Sequence, residues 1–169
     1  SQSRFVENIV GRSPEFWMYY LPKLKAITGN IFSDADLDAF AGAINQVKPS
    51  KIRVEGDEVT YCLHIIIRFE IERALFAGKV SIAELPEVWN QEYDDHLNQK
   101  IENDSEGVMQ DTHWAGGAFG YFPSYALGNI YGGQFGQTMR KDMPNWMDQI
   151  AQGKFDAVKK WMADHVHRL

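Results

Sequence analysis

The sequence predicts an all-α protein, and three observations lead to that fold class. Apolar residues recur at three- and four-residue spacing in most of the segments that are rich in them. Ser, Asp and Pro stand where these segments begin and Gly where they end, as is typical of helix termini. A single short segment, residues 51–55, alternates charged and apolar residues instead. We therefore expect a multi-helix chain with at most a short strand segment.

The N-terminal part of the chain predicts three helices. Residues 1–10 have the pattern of a helix that is already under way. Ser13 as the N-cap and Pro14 at the first helical position begin a second helix, in which Pro22 is expected to cause a kink. Residues 33–36 begin a third helix, whose apolar stripe contains the following residues: Leu37, Phe40, Ala41 and Ile44.

The segment 57–77 predicts the most deeply buried helix. Apolar residues between positions 59 and 71 point in every direction, so we expect burial on nearly all sides. The same segment carries charged groups, of which Arg68 and Glu72 stand four apart and are expected to pair. Since buried charges need partners, this helix is expected to cross the middle of a larger body.

The C-terminal half predicts four more helices. Ser81 and Glu84 form a capping-box pattern before the first of them. The helices are expected in these segments: one containing residues 85–93, then 123–139, 144–151 and 155–166. Gly128, Gly132 and Gly136 recur at every fourth position, which predicts a helix face that another backbone can approach closely.

Composition and charge narrow the function classes. Of 169 residues, 44% are apolar and 13% aromatic, enough for one domain with an extensive core or a large buried interface. The net charge of −6 disfavours general binding to nucleic acids and anionic membranes. No segment predicts a membrane span or a signal peptide. The single cysteine, Cys62, is expected to be a buried thiol in a reducing compartment, which predicts a cytoplasmic protein.

No metal site is expected within the chain, although it has 5 histidines. It contains neither a His-Glu-x-x-His pattern nor a cluster of cysteines. Glu92 and His96 share a predicted helix face, but two ligands do not make a site, so a solvated face explains them better. His165 and His167 diverge on another helix. The glycines form no nucleotide-binding loop, and packing explains them.

Two polar side chains are candidates for chemistry. Asp111 stands two residues before His113 and can orient its imidazole, whereas the alternative is a structural loop histidine. Arg53 precedes the buried helix and can bind a substrate carboxylate with two parallel hydrogen bonds. Its alternative, which the residues alone favour, is a structural ion pair with Asp57 or Glu55.

Two motifs in these segments resemble those of a known family. Residues 52–57, I-R-V-E-G-D, resemble the I-R-x-x-A-D motif of the carboxypeptidase Taq family of zinc metallocarboxypeptidases, peptidase family M32. Residues 107–114, G-V-M-Q-D-T-H-W, match that family's G-x-x-Q-D-x-H-W motif. Residues 58–72 and 119–128 are also similar to the family, and the resemblance covers essentially the whole chain.

The resemblance implies that the zinc ligands lie outside this chain. The family holds zinc with two His of an H-E-x-x-H helix and the Glu of an H-E-[SG]-Q segment. Residues 1–4 of this chain resemble the tail of that second segment. Both ends of the chain look cut inside helices. We therefore expect residues 1–169 to be the undivided C-terminal part of a catalytic domain, with no zinc and no activity of its own. The alternative is a non-catalytic helical peptide-binding or interaction module.

For the parent protein the resemblance implies an elongated helical fold, a homodimer, zinc as the cofactor, and removal of single residues from peptide C-termini. Arg53 would hold the terminal carboxylate of the substrate, with Tyr125 beside it. His113 and Tyr121 would donate hydrogen bonds to the developing oxyanion. The residues expected to support these groups are Gln110, Asp111, Asp57 and Gln2, of which Gln110 and Asp111 would orient His113.

Overall fold

The computed structural model describes residues 1–168, and at residue 30 the backbone alone. Within this part of the chain the secondary structure is entirely helical, without strands, which confirms the all-α prediction. The α-helices are α1 Gln2–Arg4, α2 Pro14–Thr28, α3 Leu37–Ile44, α4 Tyr61–Phe76, α5 Leu85–Leu97, α6 Pro123–Asp142, α7 Trp146–Ile150 and α8 Asp156–Met162. Two π-helical turns, Phe5–Val10 and Ala163–His167, extend α1 and α8.

The described chain divides into two compact units. The first unit consists of residues 1–45 together with the chain from residue 128 onward, and the second unit is residues 46–127. Helix α6 begins in the second unit and continues into the first. The assignment of the whole chain to a single domain stays a prediction. Among residues 1–168 no helix combines the length and the apolarity that crossing a membrane requires.

The predicted starts of α2 and α3 and the predicted end of α2 are confirmed. The side chains of Ser13 and Asp36 each accept the backbone N–H three residues further on, at 3.2 and 2.7 Å, and so begin α2 and α3. Gly29 ends α2 with a φ of 63°, a conformation that glycine adopts without steric cost. Pro22 lies inside α2 and does not end it.

The glycine face of α6 packs as the sequence predicts. A Cβ atom at Gly132 would lie 3.3 Å from the backbone nitrogen of Phe5, and one at Gly128 would lie 3.3 Å from that of Ser1. Both distances are shorter than an ordinary van der Waals contact, so the missing side chains let the N-terminal backbone come this close to the helix. The core beside this contact contains Phe5, Val10, Met139, Trp146, Ile150, Val158, Trp161 and Met162.

In the second unit the prediction that α4 is buried on nearly all sides is wrong. Ile66 and Phe69 keep 43% and 41% of their surface exposed, and Cys62 is only partly buried. One side of α4 nevertheless packs against α5, and the predicted capping box of Ser81 and Glu84 begins the 3₁₀ turn that directly precedes α5. The core between these helices contains Ile67, Ile71, Trp89, Tyr93 and Leu97.

The predicted ion pair between Arg68 and Glu72 is also absent. Both side chains are buried, but each has a partner more than 40 residues along the chain. Arg68 donates from Nε to the carboxylate of Asp111 at 2.6 Å, and Glu72 accepts the indole N–H of Trp114 at 3.2 Å. The helical spacing permits the local pair, but the buried charges are satisfied instead by the segment that packs over them.

The short strand expected at residues 51–55 does not form. Arg53–Glu55 is instead one 3₁₀ turn, in which the N–H of Gly56 donates to the carbonyl of Arg53 at 3.0 Å. The N–H of Arg53 donates to Oε1 of Gln110 at 2.9 Å. A side chain therefore satisfies the backbone group that a neighbouring strand would otherwise pair with.

Candidate active site

One face of α4 assembles the candidate site. Its polar side chains follow one another at spacings of three, four and four residues: Tyr61, His64, Arg68 and Glu72. Residues at these spacings lie along one side of a helix. All of them are buried, and each contacts either α5 or one of the two motif segments, residues 52–57 and 107–114. The helix therefore brings the two motifs together.

Arg53 is the central cation of this site, with 5% of its surface exposed. Asp111 binds it with two hydrogen bonds, from Nη2 to Oδ1 at 2.7 Å and from Nε to Oδ2 at 3.0 Å. Nη1 donates to the hydroxyl of Tyr61 at 2.9 Å. The predicted alternative, an ion pair with Asp57 or Glu55, is therefore wrong. A guanidinium has five N–H groups, and residues of the described chain use three of those of Arg53, so two are left for a ligand.

Asp111 lies between two guanidinium groups, since Arg68 binds the same carboxylate as Arg53. Burial raises the pKa of Asp111, but the hydrogen bonds and charges of the two arginines outweigh it, and the pKa is lowered. These three groups carry one excess positive charge, which favours an anionic ligand beside them.

His113 does not donate the expected hydrogen bond to Asp111. Oδ1 of Asp111 lies 3.7 Å from Nδ1 of His113, which is beyond hydrogen-bond distance. The physical reason is that the two arginines take up both carboxylate oxygens. Nε2 of His113 lies 3.1 Å from the hydroxyl of Tyr125, which therefore orients the imidazole.

Aromatic rings surround His113. The ring of Tyr121 stacks on the imidazole with centroids 5.6 Å apart, and that of Phe122 lies at 4.7 Å. Tyr125 meets the imidazole edge-on, and its ring centroid lies 4.9 Å from Cζ of Arg53. The structure thus brings together the four side chains for which the sequence predicts direct roles.

Two further predicted supporting residues, Gln110 and Asp57, serve Arg53 and the fold. Gln110 accepts hydrogen bonds at Oε1 from the backbone of Arg53 and from Nη2 of Arg68, each at 2.9 Å, so it does not orient His113. The carboxylate of Asp57 accepts the backbone N–H groups of residues 48, 59 and 60. These bonds and the Thr60 hydroxyl lower the pKa of Asp57 against the opposing effect of burial.

Gln2, the remaining predicted supporting residue, belongs to the first unit. There its Oε1 lies 2.8 Å from Nε2 of His167. Its role as a supporting residue stays a prediction.

Sequence reasoning missed two members of this site, His64 and Tyr93. His64 is fully buried, with Nδ1 3.1 Å from the Tyr93 hydroxyl, which in turn accepts a hydrogen bond from Arg68 at 3.0 Å. Burial, followed by the charges of Arg68 and Arg53, lowers the pKa of His64 to about 4. The sequence signal that could have identified His64 is the spacing of four residues from His64 to Arg68 and from Arg68 to Glu72 in a largely apolar helix.

The buried imidazole predicts a loss of stability in mild acid. The unfolded chain takes up a proton at the ordinary pKa of about 6.5, whereas the folded chain takes it up at about 4. Stability is therefore full above pH 6.5 and decreases by about 3 kcal/mol as the pH falls to about 4. We expect His64→Asn, which keeps a polar partner for Tyr93, to abolish this slope in urea unfolding experiments at pH 7 and 4.5.

The neighbouring carboxylates do not obscure this pH window. The lowered pKa values of Asp57 and Asp111 mean that their stabilising effect is present above their ordinary pKa of 3.8 and is lost only below it. A slope between pH 6.5 and 4 that His64→Asn leaves unchanged would show that another group titrates there.

The described residues do not form a metal site by themselves. Among them, no three His, Cys, Asp or Glu side chains lie close enough together to hold an ion. Nδ1 of His96 lies 3.3 Å from Oε2 of Glu92 and 3.1 Å from its carbonyl oxygen, on the partly exposed side of α5. The side chains described above offer a bound ligand hydrogen bonds and positive charge.

Comparison with known proteins relates the whole chain to one group of enzymes. The family model described as "Carboxypeptidase Taq (M32) metallopeptidase" matches residues 1–169. Carboxypeptidase 1 of Bacillus subtilis is 50% identical over 167 residues, which are 99% of this chain and 33% of that protein. Thermostable carboxypeptidase 1 of Thermus thermophilus is 46% identical over 167 residues, 99% of this chain and 32% of that protein.

Solved structures give the same result. The crystal structure of BsuCP superposes with a TM-score of 0.93 at 50% identity, covering 98% of this chain and 33% of that one. The Apo-Mg structure of Pyrococcus furiosus carboxypeptidase superposes with a TM-score of 0.94 at 38% identity. The match covers 99% of this chain and 33% of that one. The chain thus spans about a third of the length of the relatives that it matches.

Proposed function

Because the chain belongs to the carboxypeptidase Taq (M32) metallopeptidase family, we propose that it forms the substrate-side part of a longer metallocarboxypeptidase. In this proposal the full-length protein removes single residues from the C-termini of peptides. The observation that carries it is the buried Arg53, which Asp111 and Tyr61 orient and which keeps two N–H groups for a ligand. Family membership further supports a homodimer, and the single cysteine supports a cytoplasmic location.

In this function Arg53 binds the terminal carboxylate of the peptide. A planar guanidinium matches a carboxylate with two parallel hydrogen bonds. Asp111 and Tyr61 already hold the guanidinium in place, so little side-chain freedom is lost when the substrate binds. Recognition of the terminal carboxylate determines which peptide bond is cleaved, namely the last one.

His113 and Tyr121 act on the carbonyl oxygen of that bond. Their rings stack on each other, and in this proposal both side chains donate hydrogen bonds to one oxygen as negative charge develops on it. The hydroxyl of Tyr125 orients the imidazole for this task. Zinc, held in the full-length protein by residues outside this chain, would polarise the carbonyl and activate water.

The proposal is tested by comparing the full-length protein with the chain of residues 1–169. We expect the full-length protein to release single residues from a peptide with a free terminal carboxylate but not from its amide, to lose this activity with a chelator and to regain it with zinc. The shorter chain should hold no stoichiometric zinc after dialysis and release nothing. One tightly bound zinc per short chain would contradict the proposal. Peptide binding without cleavage by the full-length protein would favour a non-catalytic module.

A further inference from the structure

We propose that Glu72 is a positioning residue for His113 and Tyr121, an inference that rests on the proposed function of those two side chains. Oε2 of Glu72 accepts the indole N–H of Trp114 at 3.2 Å, and Oε1 accepts the backbone N–H of Gly120. Trp114 directly follows His113, and Gly120 directly precedes Tyr121. One buried carboxylate thus binds the immediate neighbour of each oxyanion donor.

The segment between these two attachment points needs such support. It contains three glycines, and two of them, Gly117 and Gly120, have φ values of 76° and 69°. Glycine loses more backbone freedom on ordering than any other residue. Hydrogen bonds within the loop hold its first part, for example from the N–H of Ala118 to the carbonyl of His113 at 2.8 Å. The end that leads into Tyr121 is attached to α4 through Glu72.

The two attachment points depend on Glu72 to different degrees. The ring of Trp114 also packs edge-on against Trp89 and Phe122, at centroid distances of 6.0 and 5.9 Å. Packing therefore holds this indole even when its hydrogen bond is lost. Gly120 has no side chain to pack. We expect the loss of Glu72 to displace mainly the end of the loop that carries Tyr121.

A carboxylate is required here because both oxygens accept hydrogen bonds. Glu72→Gln keeps the size of the side chain but turns one acceptor into an amide donor, so one of the two N–H groups faces another donor. Since Glu72 is buried, an unsatisfied group at this place is costly. Glu70 on the same helix is exposed and contacts Arg73, so Glu70→Gln is the matched control.

In the full-length protein we expect Glu72→Gln to lower kcat about 10- to 100-fold. The KM for a free-acid peptide and the zinc content should stay unchanged, because Asp111 and Tyr61 hold Arg53 and the proposal places the zinc ligands outside this chain. Hydrogen exchange at residues 114–121 should become faster. Glu70→Gln should alter none of these quantities. Trp114→Phe, which removes the indole N–H, should lower kcat less than Glu72→Gln does. Added to Glu72→Gln in a double variant, it should lower kcat less than it does in the otherwise unchanged protein.

The outcomes separate this inference from the proposed function. Unchanged exchange and unchanged kcat in Glu72→Gln would overturn the positioning role. A parallel loss of kcat, substrate binding and thermal stability would overturn it too, because Glu72 would then only support the fold. If Glu72→Gln speeds exchange while His113→Ala and Tyr121→Phe leave kcat intact, the loop contact is upheld and the oxyanion role of those two side chains fails.

Discussion

Replacing His113 by alanine in the full-length protein is expected to lower kcat about 10²–10³-fold with little change in KM. The negative charge on the carbonyl oxygen develops only as water attacks, so a hydrogen-bond donor to it stabilises the transition state more than the bound substrate. The ring of His113 stacks on Tyr121, so the oxygen would meet both donors on one side of the site. Tyr121→Phe, which removes only the hydroxyl, should act in the same direction.

Steady-state kinetics together with zinc analysis of the purified variants check this result. Tyr131→Phe is the matched control, because Tyr131 is as exposed as Tyr121, 47% against 48%, and has no predicted role. Both His113→Ala and Tyr121→Phe should retain zinc. Release of zinc from His113→Ala would identify His113 as a metal ligand instead. An unchanged kcat in Tyr121→Phe would transfer the donor role to Tyr125, whose hydroxyl lies 3.1 Å from His113.

Replacing Arg53 by alanine is expected to reduce kcat/KM on free-carboxylate peptides by about 2–4 kcal/mol of transition-state stabilisation. The substrate loses a charge-assisted contact, and the register of the peptide in the site is no longer defined. Arg53→Lys should restore only part of the loss, because lysine lacks the planar fork of N–H groups. Kinetics on a series of free-acid peptides, measured side by side for the three proteins, give the result directly.

The Arg53→Ala protein is expected to fold, because Asp111 keeps Arg68 as a partner at 2.6 Å. Circular dichroism and urea unfolding check this point. Arg73→Ala, at an exposed position of α4, is the control for the loss of a positive charge. A folded Arg53→Ala protein with unchanged kinetics would reject the carboxylate-binding role. Replacing Arg68, four of whose N–H groups bind protein atoms, should instead lower the free energy of unfolding.

The helices could be predicted from the sequence because their signals are local. Each of these signals involves residues that are close in the chain: the caps at Ser13 and Asp36, the capping box at Ser81 and the glycine with positive φ at position 29. The glycine face of α6 was also predictable, since a repeat of four residues defines a helix face whatever packs against it. Segments 52–57 and 107–114 suggested Arg53 and His113 through their resemblance to family motifs.

Only the tertiary structure decided which groups bind one another. The spacing of Asp111 and His113 suggested a pair, and so did that of Arg68 and Glu72. Asp111 and His113 nevertheless lie 3.7 Å apart without a hydrogen bond, and Arg68 and Glu72 each bind a more distant residue. A buried charge must be neutralised, and in the folded chain the nearest partner comes from a distant segment. Once two arginines had taken both oxygens of Asp111, His113 was left to Tyr125. Spacing along a chain does not determine such competition, because it depends on which segments the packing of α4 brings together.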